Sequence, residues 1–125
     1  MAERIRIHAG AVSVIAELND SPTAAAIHGV LPLEASARTW GDEIYFPIPV
    51  EERLDATAAE VVGVGDLGYW PTGRAFCIFF GPTPASRGNE IRPASAVNLV
   101  GKVLGDAKAF KGVLDGDLVR LERES

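Results

Sequence analysis

Hydrophobic and polar positions alternate along most of this chain, in short runs separated by Gly, Pro, Asn and Asp. Arg4–Ala9 places Ile5, Ile7 and Ala9 on one side and Arg4, Arg6 and His8 on the other. After Gly10, Ala11–Leu18 does the same with Val12, Val14, Ala16 and Leu18. A period of two is the mark of a half-buried strand, so the two runs predict an opening hairpin. Leu33–Trp40 alternates again, Gly41-Asp42 gives a tight turn, and Glu43–Phe46 continues as its hairpin partner until Pro47 and Pro49 end it. Glu60–Val64, Val97–Val103 and Leu118–Arg123 read as further strands.

The stretch Val64–Gly81 dominates the pattern. Two apolar runs, Leu67–Trp70 and Ala75–Phe80, flank Pro71-Thr72-Gly73, a hairpin signal. Tyr69, Trp70, Phe76, Phe79 and Phe80 fall within it. In Ala75–Phe80 both faces are apolar: Phe76, Ile78 and Phe80 point one way, Ala75, Cys77 and Phe79 the other. Such a strand lies in the middle of a structure, covered on both sides.

The period changes in two places. Asn19-Asp20-Ser21-Pro22 predicts a helix start, with Ser21 as cap and Pro22 in the first turn, over Thr23–His28. So short a helix has to pack on the sheet, and plugging an open barrel end is its expected role. Ala107–Lys111 is helical by composition, and Val50–Ala59 reads as a connection with one helical turn. Leu114–Asp117 is a turn, and Gly81–Pro93 is the longest loop. About eight short strands with neither a βαβ rhythm nor a long repeat predict an all-β fold with short helices. The economical form is a closed eight-stranded antiparallel barrel capped by one or two short helices, since closure removes the edges.

Composition narrows the function classes. A chain of 125 residues, 47% hydrophobic, makes one domain over residues 1–125 with one core. A net charge of −5 and the lack of a basic run argue against nucleic acid and anionic membrane as partners. A single cysteine excludes an internal disulfide. With no apolar leader or span in the sequence, the expected location is the cytoplasm.

Candidate chemistry is sparse. The two histidines and one cysteine lie far apart, so no metal or other cofactor is expected. Gly63-Val64-Gly65-Asp66-Leu67-Gly68 fits a Gly-x-Gly-x-x-Gly pattern, but no helix follows it, and it reads as turn chemistry. No Gly-x-Ser-x-Gly elbow occurs. His8 reads as a solvent-facing strand histidine, His28 as structural at the helix end, and Cys77 as a small core residue.

What stands out is aromatic: Trp40, Tyr45, Phe46, Tyr69, Trp70, Phe79 and Phe80, with Glu43, Arg74, Thr83, Arg92, Ser95 and Asn98 as polar neighbours. Tyr45 and Phe46 face opposite ways, as do Tyr69 and Trp70, and Phe79 and Phe80. One of each pair must point out of a barrel. An outward aromatic set implies a ligand groove, a partner or a dimer contact. The candidate ligand-binding residues are Glu43, Tyr45, Phe46, Tyr69, Trp70, Phe79, Phe80, Thr83, Arg92, Ser95 and Asn98. No catalytic residue is assigned.

Four motifs carry a family resemblance: Thr39-Trp40-Gly41-Asp42-Glu43-Ile44-Tyr45-Phe46, Gly65-Asp66-Leu67-Gly68-Tyr69-Trp70-Pro71, Phe76-Cys77-Ile78-Phe79-Phe80-Gly81-Pro82-Thr83-Pro84, and Pro93-Ala94-Ser95-Ala96-Val97-Asn98. Together they resemble the bacterial and archaeal cyclophilin-like family, a domain family of largely unassigned function. The resemblance implies an eight-stranded cyclophilin-type barrel with capping helices. A fainter similarity ties Gly73-Arg74-Ala75-Phe76-Cys77-Ile78 and Val100-Gly101-Lys102-Val103 to true cyclophilins. The Phe-His-Arg motif of the isomerases has no counterpart here, and Ala75 stands where they carry a glutamine. Three functions follow as expectations. The first is a module binding a small molecule or peptide in an aromatic groove. The second is a divergent peptidyl-prolyl isomerase, with Arg92 or Arg74 as substitute donor. The third is a structural homo-oligomer, a homodimer in its simplest form.

Overall fold

A computed structural model describes residues 3–124; positions 1, 2 and 125 of the expected domain lie outside them. The strands run β1 (Glu3–Ala9), β2 (Val12–Leu18), β3 (Leu33–Ser36), β4 (Arg38–Thr39), β5 (Glu43–Pro47), β6 (Ala58–Ala59), β7 (Asp66–Trp70), β8 (Ala75–Phe79), β9 (Val97–Val103) and β10 (Leu118–Arg123). All pairings are antiparallel, in the order β3-β10-β1-β2-β9-β7-β8-β5-β4.

That order begins and ends on one continuous piece of chain, Leu33–Thr39. The expectation of an unbroken strand here, hairpinned to β5, therefore needs correcting. Its first half pairs with β10 and only Arg38 and Thr39 pair with β5. Ala37 is the pivot: its amide donates to Asp117 O and its carbonyl accepts from Gly116 N, each at 2.8 Å. Those bonds hold the strand to the β10 side just before it crosses to β5. Counting β3 and β4 as one strand gives the closed eight-stranded barrel that the alternation predicts. The short β6 pairs onto β9 outside the ring.

Short helical segments cover the ends. Helix α1 (Pro22–Gly29) starts as expected, with Ser21 Oγ accepting from Ala24 N at 3.2 Å and Pro22 in the first turn. Ala24 and Ile27 enter the core, as do Ala107 and Phe110 of a 3-10 turn over Ala107–Gly112. Phe110 meets Phe80 with ring centroids 6.1 Å apart. No helix among the described residues is long and apolar enough to cross a membrane.

Two further expectations change. Glu60–Val64 is not a strand; it makes one bridge, Val62 with Ile91. The pairing falls earlier, on Ala58–Ala59, and the 50–59 connection has no helical turn. Asn98 of β9 explains the shift. Its side chain accepts from Asp55 N at 2.8 Å and donates to Arg53 O at 2.8 Å, so the connection is pinned alongside β9.

The β5–β8–β7–β9 wall separates two apolar clusters. Phe46, Tyr69, Phe76, Ile78 and Phe80 face the interior, where Phe46 and Phe76 stack at 5.5 Å. Cys77, Phe79 and Val97 face outward under Val62 and Ile91, with Tyr45 and Trp70 packed against them. Strand parity thus sends one member of each aromatic pair to each side. Each large side chain fully buried this way stabilises the fold by about 1.5–3 kcal/mol.

Candidate functional site

The outer cluster does not close over. Its open side is a pocket of about 230 Å³ bordered by Trp40, Glu43, Tyr45, Trp70, Pro93, Ala94 and Val97. The register builds it. Tyr45 lies opposite Cys77 on β8, and Glu43, two residues earlier on the same face, lies opposite Phe79. The turn before β5 brings Trp40 over, with its amide donating to Glu43 O at 2.9 Å. Trp70 closes the far wall at the end of β7.

Trp70 is held from two sides. Its indole N–H donates to Ser95 Oγ at 2.6 Å. Its ring also lies against the backbone of Gly73, where any β-carbon would come within 2.8 Å of it. Gly68 serves the same face: a β-carbon there would meet Val97 at 3.0 Å and Phe79 at 3.2 Å. The absence of a side chain at 68 lets the Pro93–Val97 segment descend onto β7 and form the third wall.

Glu43 is the one ionisable carboxyl at the pocket, and it is 6% exposed. Burial pushes its pKa up to about 7, against a smaller downward pull from the nearby Cys77 thiol, whose own hydrogen bond runs to Ala75 O at 3.8 Å. Cys77 is fully covered, and burial, reinforced by the neighbouring Glu43 charge, pushes its thiol well above the ordinary range. The thiol is therefore a neutral neighbour to the acid and has no character of a nucleophile.

Of the residues singled out in the sequence, Glu43, Tyr45 and Trp70 meet at this pocket, and Ser95 orients Trp70. Phe79 lies beneath, in the outer cluster. Phe46, Tyr69 and Phe80 belong to the barrel interior. The Tyr69 hydroxyl donates to Val50 O at 2.5 Å and accepts from Glu52 N at 3.3 Å, tying down the connection after β5. Asn98 is fully buried and, besides its bonds to residues 53 and 55, donates to Thr23 Oγ1 at 2.9 Å. Thr83 braces its own loop, donating to Arg92 O and accepting from Ala85 N at 3.2 Å. Arg92 pairs with Glu90 at 2.7 Å.

Trp40, Pro93, Ala94 and Val97 border the pocket without having been assigned to the candidate site. Trp40 was legible: it shares parity with Arg38, which lies opposite Tyr45. Pro93 and Ala94 come from a loop whose path no periodicity encodes. A second, more open groove of about 610 Å³ runs along Ala11–Ile15 and Leu104–Asp106 but contains no buried polar group. Among the described residues no cluster of His, Cys, Asp or Glu could hold a metal ion.

The fold and the pocket define a small closed-barrel domain with an aromatic recess on its outer wall that a buried carboxyl helps to line. The chain belongs to the cyclophilin-like family, which it matches over residues 3–122. It is also similar to a hypothetical protein of Archaeoglobus fulgidus solved in solution. That similarity is 41% identity and a TM-score of 0.83, over 98% of this chain and 95% of that one. No curated protein matches.

Proposed function

We propose that this protein is a binding module whose ligand occupies the recess between Trp40, Tyr45 and Trp70. The observation that carries this reading is a buried carboxyl bordering a mostly apolar, partly open concavity. Apolar walls with one convergent polar group are the usual composition of a small-molecule site. At about 230 Å³ the recess suits one compact group, free or carried on a larger molecule, and is smaller than the pockets that enclose drug-sized ligands.

The isomerase alternative has less support. Stabilising a twisted prolyl amide calls for a hydrogen-bond donor beside its nitrogen. The residues bordering the recess include no arginine or lysine; Arg92 is engaged by Glu90, and Arg74 lies 3.6 Å from Glu51. For the homo-oligomer no observation favours one face over another.

A fragment screen read by the indole N–H signals of Trp40 and Trp70 tests the binding reading. Saturable shifts at both indoles, lost in Trp70→Ala, are expected. Hits that map instead to Ala11–Ile15 and Leu104 would reject it in favour of the second groove.

A further inference from the structure

The ligand reading becomes specific once the Glu43 charge is weighed against its surroundings. Glu43 has no basic residue among the side chains that share the recess. The groups that face it are few. Cys77 lies near it on β8 with its thiol bonded to Ala75 O, and Tyr45 lines the recess with it from β5. Arg38, opposite Tyr45 on β4, is exposed and interacts with Asp115. Trp70 on β7 and the Pro93–Val97 segment bring no charge. Nearby, Lys111 approaches Asp42 at 3.8 Å, and Arg92 is bound to Glu90. When ionised, the carboxylate is therefore desolvated and without a counter-ion of its own.

The walls supply the complementary half. Trp and Tyr rings carry a negative face that attracts cations, Trp most strongly, and weakly hydrated ammonium groups lose least on leaving water. An anionic occupant would sit against a like charge, and a neutral one would leave that charge uncompensated. Resting on the reading of this recess as a ligand site, we propose that its occupant is an organic cation. That cation is a methylated or comparably bulky ammonium group, seated among Trp40, Tyr45 and Trp70 with its charge over the Glu43 carboxylate. The compact volume matches such a headgroup, with the rest of the molecule leaving through the open side.

The test compares choline with its uncharged analogue neohexyl alcohol, which has a tert-butyl group in place of trimethylammonium. Both are titrated against the intact chain at about pH 8 and about pH 5.5, and the indole signals of Trp40 and Trp70 are followed. Choline is expected to shift both saturably at pH 8 and to bind at least about tenfold more weakly at pH 5.5, where the carboxyl is protonated. Glu43→Gln should weaken choline at pH 8 to the same degree and leave neohexyl alcohol bound no more weakly than before. Should the variant fold poorly, the pH comparison on the unaltered protein separates the same two outcomes. Equal affinity for the two probes at both pH values overturns the cation assignment while leaving the ligand pocket standing. No shift at either indole with any probe overturns both.

Discussion

Replacing Glu43 by Gln should make the protein less sensitive to alkaline pH, and the size of the effect follows from the burial of one group. The carboxyl has an ordinary pKa of 4.5 and one of about 7 in the folded chain. The folded state therefore binds the proton more tightly than the unfolded state does. Below about pH 4.5 both states carry it and the group is neutral to stability. As pH rises towards 7 the unfolded chain gives up its proton first, and stability falls. Above 7 both states are ionised and the loss is complete. At about 1.4 kcal/mol per pH unit, the shift from 4.5 to about 7 amounts to roughly 3 kcal/mol.

Glutamine has nearly the same shape and no charge to bury. The stability of Glu43→Gln relative to the parent should therefore rise by roughly 3 kcal/mol between about pH 4.5 and about pH 8.5. Urea melts at intervals across that range, read by tryptophan fluorescence, measure it directly, with the slope of each melt unchanged. Taking the difference between the two proteins cancels the other titrating groups. Asp115 and Glu122 are held below their ordinary range by hydrogen bonds, and so, against the opposing pull of burial, is Asp55; all three lose their stabilising effect as pH falls, equally in both chains. Two parallel stability–pH curves would refute the reasoning, because they would mean that Glu43 is solvated well enough to ionise normally.

Tyr69→Phe should cost about 1–3 kcal/mol in the same melts, since it leaves the Val50 carbonyl and the Glu52 amide without their shared partner; an unchanged midpoint would contradict that bond. Asn98→Ala should cost roughly 3 kcal/mol or more by releasing Arg53, Asp55 and Thr23 together. Faster proteolysis confined to the 50–59 connection would show the same loosening. The Cys77 thiol should resist Ellman's reagent in the native protein and react stoichiometrically in denaturant, because it is 1% exposed and held protonated. Prompt native labelling would show that the outer cluster opens.

Much of the barrel was legible because its signals are local. Ile5, Ile7 and Ala9 announce a buried face, Ser21-Pro22 announces a helix start, and Pro71–Gly73 announces a reversal. What failed depended on distant partners. Ala37 looks like any other position in an alternating run, and only its bonds to Gly116 and Asp117 turn one strand into two. The strand expected at Glu60–Val64 is displaced because Asn98 claims the backbone at 53 and 55. At the recess, parity required one of Tyr45 and Phe46, and one of Tyr69 and Trp70, to lie outside the barrel, but alternation alone did not choose between them; the packing puts Tyr45 and Trp70 outside. Parity could not say that Phe79 would be roofed by Val62 and Ile91 while Trp40 stayed open. Nor could alternation mark Glu43 as covered, for its charge predicts exposure; its burial is imposed by the aromatic residues around it.

That burial links the recess to the stability of the whole barrel. Glu43 sits on β5, whose next residue, Ile44, lies in the central core, so ionising the acid strains a strand the fold depends on. A cation over the carboxylate lowers its pKa back towards the ordinary range. In doing so it recovers part of the roughly 3 kcal/mol that ionisation removes. Ligand binding and alkaline destabilisation must then be reciprocal. At a fixed choline concentration, the rise in melting temperature should be larger at about pH 8 than at about pH 5.5, and it should be pH-independent in Glu43→Gln. A neutral occupant cannot produce that pattern. Its contact with the rings would stabilise the fold most where the carboxyl is protonated, so a rise in melting temperature that grows with acidity would place an uncharged group in the recess.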